Sequence, residues 1–416
     1  MKKLLLILLC LPMIGFGQEW IFDVSGLDIG YNVTQTTDGG YALIGEIDDG
    51  DPYLLKIDVN GNQIWDQSYI VDGWIQTGQQ TTDGGYIMMG GGAGPTVSDS
   101  YFWLTKTGST GNIQWEQSYI NSDWCVLEAG QQTSDGGYIM SGVSHFQGPV
   151  PDYELLIIKT DANGNLQWQQ NIHHLDSSMT WSVLGIGRSI HQTTDGGYIV
   201  TAGVDASPSS SGWLIKLDAF GNQMWDQLYN NMEDMLSLQT GDGGFIVIGL
   251  VFTPTPPVFG YVVRLIKTDG SGNQIWDQTF ALNNGFRIAD IQQTTDDGYI
   301  YLENPNTLVK TDANGNQQWQ QTVSTPNDNF ISIEQTADGG YILTGTRQQS
   351  AMSFDIIIVK TDSQGNVTST FNIPINPNRK LEKVVDILGR DIKPQTNTPF
   401  IEIYDDGSVE KKIVVE

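Results

Sequence analysis

Carboxylates dominate the chemistry open to this 416-residue chain, which carries 48 acidic side chains, 20 basic ones and four histidines. Paired carboxylates on one surface can act as acid and base on a glycosidic bond, or accept hydrogen bonds from sugar hydroxyls. None of the pairs stands out by spacing, so residue type leaves a polysaccharide hydrolase or lyase open. The histidines are His145, His173, His174 and His191, and no H-x-x-x-H pair occurs among them. A zinc site needs three or four converging ligands, so these read as loop residues. A formal charge of −28 excludes non-specific nucleic-acid binding, which depends on a Lys/Arg surface to release counterions. Neither a G-x-S-x-G elbow nor a phosphate loop is present.

Large aromatics offer a second chemistry. Trp74, Trp124, Trp181, Phe286 and Phe330 recur at corresponding places, with Met235 in the fifth, and Asp72, Asp123 and Asp176 lie nearby. Aromatic faces can stack on sugar rings while the aspartates accept hydroxyl hydrogen bonds. The competing reading makes these aromatics core wedges between structural units. A candidate rim therefore comprises Trp74, Trp124, Trp181, Phe286, Phe330, Asp72, Asp123, His145 and His173. A neutral sugar polymer is the expected ligand, because a strongly acidic domain repels anions at low salt.

The elements that must position these residues are internal repeats. A QTTDGGY-like block occurs seven times, at Gln35, Gln80, Gln132, Gln192, Gln239, Gln293 and Gln335, with intervals of 42 to 60 residues. Each is followed by a block such as KTDANGNLQW from Lys159, in which lysine precedes tryptophan by nine residues in the first six copies. Asp-Gly and Asn-Gly between alternating apolar runs are strong hairpin signals, because these residues tolerate positive φ. Four short strands per unit is the pattern of a propeller blade. The seventh copy has Ser369 where tryptophan is due, and Trp20 lies near the other end of the chain. A ring explains both: the N-terminal strand supplies the last blade's outermost strand, leaving no edge open. The expected fold is all-β, a closed seven-bladed propeller of four-stranded blades over residues 18–373.

The constant turns read as structural, with aspartate capping its own backbone. The repeat lysines read as partners in structural ion pairs. Asp161-Ala162-Asn163-Gly164-Asn165 also matches part of an oxygen-rich calcium loop. The distal bidentate glutamate is missing, and Gly108 replaces the aspartate in the second copy. No cofactor or metal is therefore expected, with calcium at these turns as the minority reading.

Residues 1–17 read as a signal peptide: Met1-Lys2-Lys3, an apolar run from Leu4 to Ile14 too short to span a bilayer, then Gly15-Phe16-Gly17. The mature chain keeps one thiol, Cys125, and has no later apolar stretch long enough to cross a membrane. Residues 374–378 form a linker. Residues 379–416 differ in balance, with seven basic and eight acidic side chains, against 11 and 40 for residues 18–378. They read as a small antiparallel unit with strands at Leu381–Leu388, Phe400–Tyr404 and Val409–Val415.

Two resemblances rest on these motifs. The G-N-x-x-W spacing resembles the tryptophan-docking repeats of quinoprotein-type propellers. Their quinone does not follow, since such enzymes usually pair adjacent cysteines near it. The D-I-L-G-R core and the final Y-D-D-G-S-V-E-K-K-I run resemble the C-terminal sorting domain of the type IX secretion system. That resemblance implies secretion across the outer membrane of a Gram-negative bacterium, with release or surface attachment, and the secretion machinery as a partner. The leading expectation is an exported, monomeric, non-enzymatic propeller that binds a glycan or protein through its variable loops. A polysaccharide-active enzyme and a purely structural surface protein are the alternatives.

Overall fold

The computed structural model describes residues 18–22, 28–47, 50–71, 73–93, 100–121, 124–146, 152–173, 188–206, 209–253, 260–282, 287–350, 353–367, 381–385, 390, 392–393, 400–404 and 409–412. The expected signal peptide and linker lie outside them. There are seven four-stranded antiparallel sheets, and the first six run from an inner to an outer strand in sequence order. Blade 1 comprises Ile29–Gln35, Tyr41–Ile47, Asp51–Ile57 and Gln63–Ser68. The inner strands of blades 2 to 7 are Trp74–Gln80, Cys125–Gln132, Ser189–Gln192, Met232–Gln239, Arg287–Gln293 and Asp328–Gln335. With four strands in every blade, both constant turns emerge on one face and all variable loops on the other.

The ring closes as the sequence implies. Gln18–Phe22 pairs antiparallel with Ser353–Thr361 and becomes the outer strand of blade 7. One detail differs from the sequence reading. In blade 1 the repeat tryptophan Trp65 stands opposite the repeat lysine Lys56, but in blade 7 Lys360 faces Gln18. Trp20 falls opposite Ile358, two residues beyond the tryptophan position.

Blades dock through a repeated aromatic joint. The tryptophan of each of the first six blades meets the DGGY aromatic of the next blade. Trp115 and Tyr138, for example, have ring centroids 5.8 Å apart in an edge-on arrangement. The same geometry joins Trp65 to Tyr86, Trp168 to Tyr198, Trp225 to Phe245 and Trp319 to Tyr341. Such pairs contribute about 0.5–1.5 kcal/mol beyond the area they bury. The indole also lies on the turn glycine of the next blade. A Cβ at Gly164 would come 2.8 Å from Trp115 Cζ3, and its φ of +77° already demands glycine.

Two polar devices repeat with the blades. The repeat lysine turns back to the DGG aspartate in all seven, at 2.9–3.0 Å from Nζ to carboxylate. The lysine is buried and the aspartate half exposed, and the ammonium also donates to a backbone carbonyl, as Lys216 does to Leu217. The second device is a ladder around the ring. The QT glutamine of each blade accepts a backbone N–H from the DGG turn of the preceding blade, beginning with Thr37 to Gln80. The series runs on through Gln132, Gln192, Gln239, Gln293 and Gln335. Ala337 to Gln35 closes it, so the seventh blade is bonded to the first.

Residues 381–412 contain a three-stranded antiparallel sheet of Leu381–Val385, Phe400–Tyr404 and Val409–Lys412, in the order read from the sequence. No helix among the described residues is long and apolar enough to cross a membrane.

Candidate functional site

The inner strands of all seven blades surround a central cavity of about 630 Å³, within the range typical of small-molecule sites. Its wall has two levels. The lower level, nearer the DGG turns, is occupied with holding blades together. Asn32 Oδ1 accepts from Thr77 Oγ1 and the Gly78 amide at 3.0 and 3.1 Å. Gln79 and Gln292 accept from the amides of Gln132 and Gln335, and Glu334 from that of Gln35. His191 Nδ1 lies 3.2 Å from Gln131 Oε1. These groups staple neighbouring blades.

Asp290 belongs to this level. Its carboxylate accepts the Ile333 amide at 3.0 Å and the Ile291 amide at 2.7 Å. Withdrawal from bulk water pushes the carboxyl up to about 7, against the pull of those two amides. A carboxyl raised in the fold binds protons more tightly than in the unfolded chain, so its contribution to stability falls as pH rises from about 4 to 7. His191, pushed down to about 4 by burial, acts with the opposite sign. The difference between wild type and Asp290→Asn isolates the aspartate. The wild-type advantage should shrink by on the order of 2–4 kcal/mol between pH 4 and pH 8. Urea titrations at four pH values measure it, and a gap that stays constant would refute the assignment.

The upper level, toward the variable face, is built differently. Six inner strands break register there: between Gly30 and Asn32, Ile75 and Thr77, Leu127 and Ala129, Glu233 and Leu236, Ile288 and Asp290, and Phe330 and Ser332. A bulge leaves its extra residue outside the ladder and re-aims the side chain. The bulged residues Tyr31, Gln76, Glu128, Asp234, Ala289 and Ile331 line the cavity. In blade 5 two residues are skipped, and Asp234 adopts φ +59°. Arg188, which precedes the short inner strand of blade 4, and Arg287 of blade 6 complete the level.

This level is charged and asymmetric. Arg188 forms an ion pair with Asp234. Burial lowers the Arg188 guanidinium to about 10, helped by the like charge of Arg287 and opposed by Glu128. Glu128 is raised by burial, while both arginines pull the other way. Two buried polar atoms here, Arg287 Nε and Asp234 Oδ2, have no hydrogen-bond partner. Such atoms are costly to bury in this state, which makes them unlike the stapling groups below.

The rim residues expected from the sequence distribute unevenly. Trp74 and Trp124 are 36 % and 45 % exposed, at or just before the start of their inner strands on the variable side. Trp74 lies over Gly91, where a Cβ would meet its Cζ2 at 3.0 Å. Phe330, by contrast, is fully buried with Leu302, Leu343 and Ile357, because it precedes the bulge and faces the core between blades 6 and 7. Met235 is buried likewise. His173 is 39 % exposed and pairs with Glu154 at 2.9 Å. His145 stands opposite Tyr153 in blade 3. Asp72, Asp123, Asp176, Trp181, His174 and Phe286 lie outside the described residues.

The D-x-x-G-N aspartates act on their own turns. Asp161 Oδ1 accepts the amides of Asn163 and Asn165, and Oδ2 accepts the Asn165 side chain. Among the described residues no three His, Cys, Asp or Glu side chains converge as a metal would require. Buried Cys125 is held by Ser100, and burial raises its thiol to about 11.

No protein-family model matches the chain, and no curated protein matches it. Solved structures similar to it include a protein of unknown function from Bacteroides caccae, 11% identical over 73% of this chain and 97% of that one, with a TM-score of 0.41. YCF48 bound to a D1 peptide is 11% identical over 84% and 97%, with a TM-score of 0.48. The β-propeller domain of the Trilobed protease from Pyrococcus furiosus is 9% identical over 84% and 98%, with a TM-score of 0.47.

Proposed function

We propose that this chain is an exported, non-enzymatic binding protein whose ligand enters the central channel from the variable face. The observation that carries the reading is the contrast between the two levels of the channel wall. Below, the polar side chains are consumed by neighbouring blades, the Ser237 hydroxyl excepted. Above, bulges turn a non-repeating set of side chains inward and leave Arg287 Nε and Asp234 Oδ2 unmet. The polar lining suits a hydroxyl-rich ligand, and the part-exposed ring of Trp74 on the same face can stack on a further sugar unit. Export rests on the residue pattern of positions 1–17 and on the tail's likeness to a type IX sorting domain, with the secretion machinery as the tail's partner. The reading needs no cofactor and no second copy of the chain.

A glycan array probed with the secreted protein tests it, beside Ala289→Trp, which places an indole in the channel mouth. Binding to a small set of saccharides is expected for wild type and its loss for the variant, with unchanged melting. Binding that survives the blocked mouth, or no binding to any glycan, refutes the proposal.

A further inference from the structure

The geometry points to a ligand that carries a carboxylate next to a hydroxyl, a sugar acid of the hexuronate type, with Arg287 reading the carboxylate. The inference rests on the channel-binding reading above and specifies its ligand. It begins with an inventory of positive charge. Residues 18–378 contain eleven Lys and Arg side chains. Seven are the repeat lysines, each in its blade's ion pair. Arg264 Nε donates to Asp277 at 2.9 Å, and Arg347 Nη2 to Asp328 at 2.8 Å. The remaining two, Arg188 and Arg287, both face the central cavity at its upper level.

A domain this acidic does not place its two remaining guanidiniums side by side in one cavity without cost. Partial desolvation lowers both, and the like charge of Arg287 lowers Arg188 further. Glu128 and Asp234 formally balance the two guanidiniums, and Asp234 holds Arg188. Arg287 differs, because its Nε has no partner. Guanidinium N–H groups in a fork match a carboxylate's two oxygens, and the bond is strengthened where water is excluded. The unmet Asp234 Oδ2 needs a donor, which a carboxylate alone cannot supply. A hydroxyl beside the carboxylate supplies it. Gln76 offers its amide to further hydroxyls and Tyr31 its phenol oxygen as an acceptor, its hydrogen being given to Glu46, and only Ala289 and Ile331 are apolar among the bulged residues that line the cavity. A sugar acid meets both unsatisfied atoms at once. This departs from the preference for neutral sugars drawn from net charge, because the carboxylate would be read at contact distance by the unmet Arg287 Nε, while Glu128 and Asp234 formally balance the two guanidiniums and the carboxylates on the outer surface are screened.

The test is calorimetric titration of the full chain with sodium glucuronate and with glucose, for wild type, Arg287→Gln, Arg287→Lys and Ala289→Trp. Wild type should bind glucuronate at least roughly tenfold more tightly than glucose. Arg287→Gln should erase that preference with unchanged circular dichroism, and Arg287→Lys should restore part of it. Equal binding of the two sugars by wild type, or a preference that survives Arg287→Gln, overturns the inference. If equal binding is still abolished by Ala289→Trp, the channel remains the site and only the acidic ligand is wrong. If neither sugar binds, or Ala289→Trp changes nothing, both readings fall together.

Discussion

Deletion of residues 18–22 is expected to destabilise the ring by roughly 5 kcal/mol, the combined effect of lost ladder hydrogen bonds and uncovered apolar surface. The strand they cover, Ser353–Thr361, contains Ile356, Ile357, Ile358 and Val359, all fully buried. Without its partner this becomes an outer edge of four consecutive β-branched residues, which is a template for pairing between chains. The deletion variant should therefore both melt early and oligomerise. A peptide of sequence QEWIF added in trans should compete for the vacated edge and reduce the oligomer, since main-chain pairing supplies much of its affinity. Light scattering and urea denaturation read the two effects. A truncated protein that stays monomeric and unfolds like wild type would show that the ring does not depend on this strand.

A smaller loss is expected from Asp195→Ala, which leaves buried Lys216 with its bond to the Leu217 carbonyl but without its carboxylate. Breaking a fully buried pair on one side typically costs roughly 3–5 kcal/mol, and because Asp195 is half exposed the loss here should be about 1–3 kcal/mol. Asp195 also accepts the Gly197 amide at 2.9 Å and the Thr193 hydroxyl, so those donors lose their partner too. Lys216→Met, which removes the charge and keeps the volume, should cost much less, and a double-mutant cycle separates the coupling from the single effects. The pH dependence follows from the same bonds. Partial burial disfavours the Asp195 charge, but Lys216, Thr193 and the Gly197 amide outweigh it and hold the carboxyl at about 2. A carboxyl lowered in the fold contributes stability that is fully present above its unfolded value near 4 and is lost as pH falls through about 2. Asp38, Asp83 and Asp242 are held at about 2 in the same way. Unfolding followed by circular dichroism should be complete only in strong acid, and the Asp195→Ala transition should begin at a higher pH.

The blades were legible because their signals are repeated. The DGG and D-x-x-G-N turns, the nine-residue spacing from lysine to tryptophan and the missing seventh tryptophan each state one structural rule several times. Strand count, blade order and ring closure follow from them, as does a structural ion pair for each repeat lysine, though not that its partner is the DGG aspartate. The QT glutamine was equally visible in the sequence, yet its role was not, because a bond to the adjacent blade leaves no trace in local periodicity. The channel was hidden for the opposite reason. The position four residues before that glutamine holds Tyr31, Gln76, Glu128, Arg188, Met235, Ala289 and Ile331. Nothing repeats there, and a bulge is invisible to a count of alternating residues. Aromatic size pointed to the rim and included Phe330, whose burial depends on lying one residue before the bulge. The signal that leads to the channel is a subtraction: of eleven cations, the four outside the repeat are all arginine.

The register of the closing strand also decides where the chain can be cut. Asn366 ends the last constant turn as Asn62 ends the first, and Gln18 stands opposite Lys360 as Trp65 stands opposite Lys56. Two residues after Asn366 would therefore carry the chain onto Gln18 with the same count as in blade 1. The polypeptide is in effect a circle cut once, within a hairpin on the constant face. The propeller's ends, at Gln18 and two residues after Asn366, can be rejoined without a linker and new ones opened in a variable loop, giving a permuted propeller with the same seven blades. In the natural order the described blades begin at Gln18 and end at Val367 on the face opposite the channel mouth, so the cut lies as far from the mouth as the blades allow.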